Sequence, residues 1–140
     1  MISLPSERLK QILTQAGAVD PKVFDSANEE AKRREQNPID ILISQGVLSE
    51  DYFYRILAKA LNVELVHLTD VDIDEGSLRV IPEDIARKRR VIIFSQNEDG
   101  SYNAAMENPT DLETINFLSL RLGAPIKPFL TTEKLSLIHI

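Results

Sequence analysis

Residues 105–113 read Ala-Met-Glu-Asn-Pro-Thr-Asp-Leu-Glu and mark the point where an apolar segment gives way to a helix. Asn108 can cap this helix, and Pro109 costs no hydrogen bond in a first helical turn. Thr110 and Glu113 provide a capping box as a second way of starting the same helix. We therefore predict a strand-to-helix corner within a small α/β domain.

The residues around this corner alternate between strand and helix patterns. Asp99-Gly100 is typical of a hairpin turn, which predicts a short, mostly antiparallel sheet. Pro128 in the last strand indicates a sheet edge, and Thr131 or Thr132 can cap a short terminal helix. The predicted strands are 64–68, 91–94, 102–106 and 126–130, and the predicted helices are 82–89 and 109–122, with a possible helical turn at 76–80.

The first sixty residues predict four helices that form a tandem repeat with an offset of about 29 residues. Each unit is a short helix, a glycine stop at Gly17 or Gly46, and a longer capped helix. The matching pairs are Ile12 with Ile41, Leu13 with Leu42, Val19 with Leu48, Phe24 with Phe53, Ala27 with Ile56, and Ala31 with Ala60. We predict an α+β fold with a helical subdomain at 1–61 and a small α/β subdomain at 62–140.

Composition limits the possible functions. The chain has 43% hydrophobic and 27% charged residues, no cysteine, and no apolar run long enough for a membrane span or signal peptide. We therefore expect a cytoplasmic protein without direct membrane insertion.

The net charge of −6 argues against nucleic-acid binding. The basic runs 32–34 and 87–90 are typical of solvated helix ends, and an anionic partner is the alternative.

No catalytic or metal-binding constellation is present in the sequence. His67 and His139 have no second ligand at metal spacing, and the acidic residues 70–75 lack the register of a calcium loop. None of the five glycines is followed by lysine, so there is no Walker A loop. We expect neither a metal nor enzymatic activity in these residues.

Three segments in order resemble one protein family: IPEDIAR at 81–87, RVII at 90–93 and AAMENPTD at 104–111. They are similar to the amino-terminal, MshEN-like domain of the GspE/PilB-type ATPases, which serve type II secretion and type IV pilus assembly. The resemblance implies that a motor domain lies beyond residue 140 in a longer parent protein, unless the chain is a free-standing adaptor.

The resemblance implies that this domain docks the motor, peripherally, to the inner-membrane platform through a GspL-like partner. Two surfaces are candidates for docking. One is the basic segment of Arg87, Lys88, Arg89 and Arg90, and the other is the apolar pair Phe117 and Leu120. An apolar pair of this kind can equally pack within its own domain.

A competing interpretation comes from the helical repeat. Some members of the family bind cyclic di-GMP through two tandem motifs of the form Arg-Leu-Gly followed by leucines, a glycine and a glutamine. The first repeat here keeps Arg8, Leu9 and Gly17, whereas the second keeps Gly46 but has residues 37–39 in place of Arg-Leu-Gly. These four residues are the candidate ligand site, and docking is the preferred interpretation.

Overall fold

The computed structural model describes residues 4–132, which divide into two compact units. Residues 4–60 form a helical unit, and the described residues from 61 onward form an α/β unit. The α+β fold class predicted from the sequence is confirmed. The short helix predicted after Thr131 or Thr132 lies outside the described residues.

The helical unit contains the four predicted helices: α1 (Ser6–Gln15), α2 (Pro21–Arg34), α3 (Pro38–Ser44) and α4 (Glu50–Ala60). Asp20 and Asn37 cap α2 and α3, each accepting the backbone N–H two residues further along the chain, at 2.9 and 2.8 Å. A proline follows each cap, where its missing N–H has no helical partner to lose. Ser49 accepts the N–H of Tyr52 at 3.1 Å and caps α4.

The short helices α1 and α3 end in the same left-handed turn. Gly17 and Gly46 have φ angles of 70° and 74°. In both turns the N–H that follows the glycine donates to the carbonyl five residues back, at 3.0 Å after α1 and 3.1 Å after α3. This is a Schellman motif, in which a residue without Cβ avoids steric strain.

Burial in the helical unit follows the repeat. Apolar residues in α1 and α3 and in the turns after them, together with one phenylalanine in each long helix, are almost fully buried at equivalent positions. These pairs are Ile12 with Ile41, Leu13 with Leu42, Val19 with Leu48, and Phe24 with Phe53. Towards the ends of the long helices the equivalence fails, because Ala31 is buried and Ala60 is exposed.

The α/β unit has four strands and three helices: β1 (Glu64–Val66), α5 (Glu75–Leu78), α6 (Glu83–Arg89), β2 (Val91–Gln96), β3 (Tyr102–Met106), α7 (Leu112–Leu122) and β4 (Ile126–Thr131). The strand order is β1-β4-β3-β2, with β2 and β3 antiparallel and the other two pairs parallel. The predicted mostly antiparallel sheet was wrong. The hairpin pairing does not extend through the sheet, because α7 carries the chain back so that β4 runs parallel to β3.

Pro128 lies in an internal strand, and its predicted edge position was wrong. It is opposite Ala104 of β3, but the pairing of β4 with β1 begins only at Phe129. The short β1 therefore leaves β4 with a single neighbouring strand at Pro128. The missing N–H of a proline is tolerated in such a place.

Helix α7 begins three residues later than the sequence predicted, and Asp111 is its cap. The carboxylate of Asp111 accepts the N–H of Thr114 at 3.2 Å. Asn108 instead accepts the N–H of Thr110 at 3.0 Å, and its carbonyl accepts the N–H of Asp111. The Asn-Pro pair forms a turn before the helix, because asparagine side chains favour such local backbone bonds.

Strand β2 is an edge strand, yet its first four residues, which are all apolar, are buried. The segment that leads into α5 lies against it, and the N–H of Asp74 donates to the carbonyl of Phe94 at 3.0 Å. Asp74 also caps α5 through Ser77, and these hydrogen bonds lower the pKa of its carboxyl. The loop thus protects part of the exposed edge.

We predict that Gly17→Ala or Gly46→Ala destabilises the domain by about 1 kcal/mol, the usual cost of a Cβ in the left-handed region. A Cβ at either position would meet no atom within 4 Å, so the cost is conformational alone. The control is Gly76→Ala in α5, where φ is not in the left-handed region and the nearest atom is 3.6 Å away. Urea unfolding measures the difference. Equal stability of all three variants would contradict the Schellman assignment.

Candidate functional site

A groove of about 530 Å³ runs between α1 and α4 of the helical unit. Such a volume lies within the range of about 300–1,000 Å³ that is usual for small-molecule sites. Both helices contribute residues at helical spacing, so each presents one stripe to the groove. The lining residues are Arg8, Ile12 and Gln15 of α1, Ala16 directly after it, and Tyr52, Arg55, Ile56, Lys59 and Ala60 of α4.

All three charged residues that line the groove are cations: Arg8, Arg55 and Lys59. This concentration of positive charge stands out in a chain with a net charge of −6. Within residues 4–132, Arg8 and Lys59 have no ion pair, while Arg55 pairs with Asp51 at 2.9 Å. The groove therefore suits an anionic ligand.

Apolar and aromatic surface accompanies these charges. The buried Ile12 and the half-buried Ile56 belong to the apolar part of the lining. Tyr52 is 44% exposed, although the neighbouring Phe53 of the same helix is fully buried. An exposed aromatic ring beside cations is the arrangement that binds a planar base together with its phosphate.

The structure brings only Arg8 of the four predicted ligand residues to the groove. Its guanidinium is exposed and donates to the Gln11 side chain at 3.1 Å. Leu9 is 2% exposed and belongs to the helical core. Gly17 and Gly46 form the helix-ending turns, and neither lines the groove.

The second repeat has no counterpart to Arg8. Asn37 stands at that position, and its side chain is engaged in capping α3. Lys10, which replaces the glycine of the family motif in the first repeat, pairs with Asp25 of α2 at 2.8 Å. The hydrogen bond to Asp25 raises the pKa of Lys10, whose charge thus serves contact between α1 and α2.

In the α/β unit, most of the predicted basic docking segment already has partners. Arg87 pairs with Glu83 at 2.7 Å, and Arg90 lies 3.6 Å from the buried Glu107. Lys88 is exposed and has no ion pair among the described residues. The charge that this segment offers to another molecule is therefore smaller than the sequence suggested.

Arg89 links the two predicted docking surfaces to each other. Its guanidinium lies 4.2 Å from the centre of the Phe117 ring and donates to the Thr114 hydroxyl at 3.2 Å. Phe117 is half-buried against the core of the unit. This pair holds α6 against α7. Phe117 therefore packs within its own domain, which was one of the two alternatives that the sequence allowed.

Leu120 is 86% exposed on α7, and Leu112, eight residues earlier at the start of the same helix, is 67% exposed. From its apolar character and its spacing from Ile115 and Leu118, Leu112 is expected to belong to the packed side of this helix. That assignment failed because the helix starts at Leu112, so the side chain lies at its solvent-exposed end. The two leucines form an exposed apolar pair.

Residues 4–132 contain no group of three or more histidine or acidic side chains that could hold a metal ion. Within the same range, no helix combines the length and the apolar character needed to cross a bilayer.

Two curated relatives match most of the chain. The type IV pilus assembly ATPase PilB of Thermus thermophilus is 23% identical over 95% of it, and PilB of Myxococcus xanthus is 23% identical over 91%. The chain spans only 15% and 22% of the length of these two proteins.

Two solved structures are also similar. The structure of MshE with cdg has a TM-score of 0.73 and 26% identity and covers 88% of both chains. A match over 88% of this chain cannot lie within residues 61–140 alone, because these residues are little more than half of the chain. The match therefore includes much of the helical unit. The N-terminal domain of XpsE has a TM-score of 0.60 over 97% of this chain and 94% of that one, and at 17% identity it supports the fold alone.

The sequence model of the MshEN domain matches residues 61–135, more than half of the chain. These residues include all three segments on which the resemblance was based. The similar XpsE structure is likewise that of an N-terminal domain. The chain belongs to the MshEN domain family and is an amino-terminal, non-catalytic domain of the GspE/PilB type.

Proposed function

We propose that this domain regulates a pilus-assembly or secretion ATPase by binding cyclic di-GMP in the groove between α1 and α4. The observation that carries the proposal is the exclusively cationic charge of the groove in an acidic chain. The MshE relative, which is 26% identical, was solved with cdg, the abbreviation of cyclic di-GMP. Such a ligand supplies two phosphates and two planar guanines.

Arg8 is the residue on which this proposal depends most. A guanidinium can form two parallel hydrogen bonds to a phosphate or to the acceptor edge of guanine. The Tyr52 ring offers a surface on which a base can stack. Ile12 and Ile56 extend the apolar contact, so charge and stacking surface occur together.

Regulation would follow from the position of the groove. Its lining comes from the first and last helices of the unit, so a bound ligand contacts both repeats at once. A ligand that favours one arrangement of α1 and α4 shifts the unit towards that arrangement. In a longer parent protein, this shift would be passed to the ATPase domain.

We predict that Arg8→Ala weakens cyclic di-GMP binding by more than about tenfold, because a charge-assisted hydrogen bond contributes about 1.5–3 kcal/mol. Isothermal titration calorimetry measures the affinity, with GTP and cyclic di-AMP as selectivity controls. Arg33→Ala is the matched control, since Arg33 is an exposed cation that does not line the groove.

Arg33→Ala should bind as the unchanged domain does. If both arginine variants retained full affinity, Arg8 would have no part in the site. A domain that bound none of the three nucleotides would exclude the sensor function.

We also propose a second function, docking of the ATPase to the inner-membrane platform. The observation in its favour is the exposed pair Leu112 and Leu120 on α7. Apolar side chains with such exposure contribute to the free energy of binding when a partner protein covers them. The partner is a cytoplasmic domain of the GspL kind, and the ATPase would then be cytoplasmic and peripheral to the membrane.

We predict that Leu120→Asp weakens binding to the cytoplasmic domain of the platform protein from the same organism by at least about tenfold. A carboxylate buried at the interface would lose hydration without gaining a partner. Surface plasmon resonance measures the affinity, with Val71→Asp as the control because Val71 is an exposed apolar residue in a loop. Equal affinity of both variants and the unchanged domain would exclude α7 as the docking surface.

A further inference from the structure

We infer that Arg55 and Lys59 of α4 bind the second phosphate of the ligand and thereby replace the arginine that the second repeat lacks. This inference rests on the proposed cyclic di-GMP site. It assigns a binding role to two residues outside the tandem motif, and it makes the site chemically asymmetric.

Additional cations are needed at the second phosphate because the second repeat has Asn37 in place of an arginine. It occupies the position equivalent to Arg8, carries no charge, and uses its side-chain oxygen to accept the N–H of Ile39 at 2.8 Å. A ligand with two phosphates therefore meets only one arginine from the motif positions. The second phosphate requires other cations.

Arg55 and Lys59 are placed to meet this need. They are four residues apart on α4, a spacing that puts both on the same helix face, and both line the groove that Arg8 lines. Within the described residues, Lys59 has neither an ion pair nor a hydrogen-bonded side-chain partner. Its ammonium is thus available to a phosphate, and its long stem can reach one.

Arg55 has a partner that a phosphate can displace. Its bond to Asp51 joins side chains that are 64% and 61% exposed, and such exposed pairs contribute little to stability. Asp51 does not line the groove. Its carboxylate competes with the ligand for the Arg55 guanidinium, so Asp51 lowers the affinity of the site.

The test is a calorimetric titration of the whole chain with cyclic di-GMP at low and high salt. The variants are Arg55→Gln with Lys59→Gln together, Asp51→Asn alone, and Arg8→Ala. Lys22→Gln with Lys32→Gln is the matched control, because both are exposed cations of α2 that do not line the groove. Circular dichroism at each titration temperature checks that every variant is folded.

The α4 double variant should lose at least about tenfold in affinity and depend less on salt, because fewer charges attract the ligand. Asp51→Asn should gain about twofold or more, and the α2 double variant should match the unchanged chain. The inference is overturned if the α4 double variant binds normally while Arg8→Ala does not, and the proposed function then stands. Absence of binding by the unchanged chain overturns both.

Discussion

Burial of the apolar stripes of two short helix pairs is the constraint on which the helical unit depends. Neither pair could cover its own stripe, so the pairs must pack on each other. The left-handed turns at Gly17 and Gly46 reverse the chain at equivalent points and make this packing possible. With Leu13 and Phe53 buried, the outer residues of α1 and α4 are left to form the walls of a groove. The candidate site is therefore a consequence of how the repeat packs.

The α/β unit is organised by a different constraint, the return of the chain through α7 between two parallel strands. The sheet places β4 inside, and residues of β2, β3 and β4 supply much of its core. Arg89 and Phe117 connect α6 to α7, and the exposed leucines on α7 are left outside this packing. The two functional proposals thus use separate surfaces. Ligand binding belongs to the helical unit and docking belongs to the α/β unit.

The features that could be predicted from the sequence are those that depend on residues close together in the chain. The helix stops at Gly17 and Gly46 and the strand at 91–94 depend on neighbouring residues, and these were predicted. The cap at Asn37 was found only in the structure. Strand direction and order depend on how distant segments pair, so the internal position of Pro128 was missed. At the candidate ligand site, Arg8 could be identified from the sequence because it matches the arginine of the family's Arg-Leu-Gly motif. Arg55 and Lys59 could be found only once α1 and α4 were seen to line one groove, although their spacing of four was already visible in the sequence.

The groove between α1 and α4 is proposed to bind an anionic nucleotide. The most direct test is the change in backbone amide chemical shifts of the labelled domain when cyclic di-GMP is added. The largest changes are expected at Arg8, Tyr52 and Lys59 and their helical neighbours, with little change in the sheet at 91–106. Changes centred on the α/β unit, or none at saturating nucleotide, would exclude this groove as the binding site.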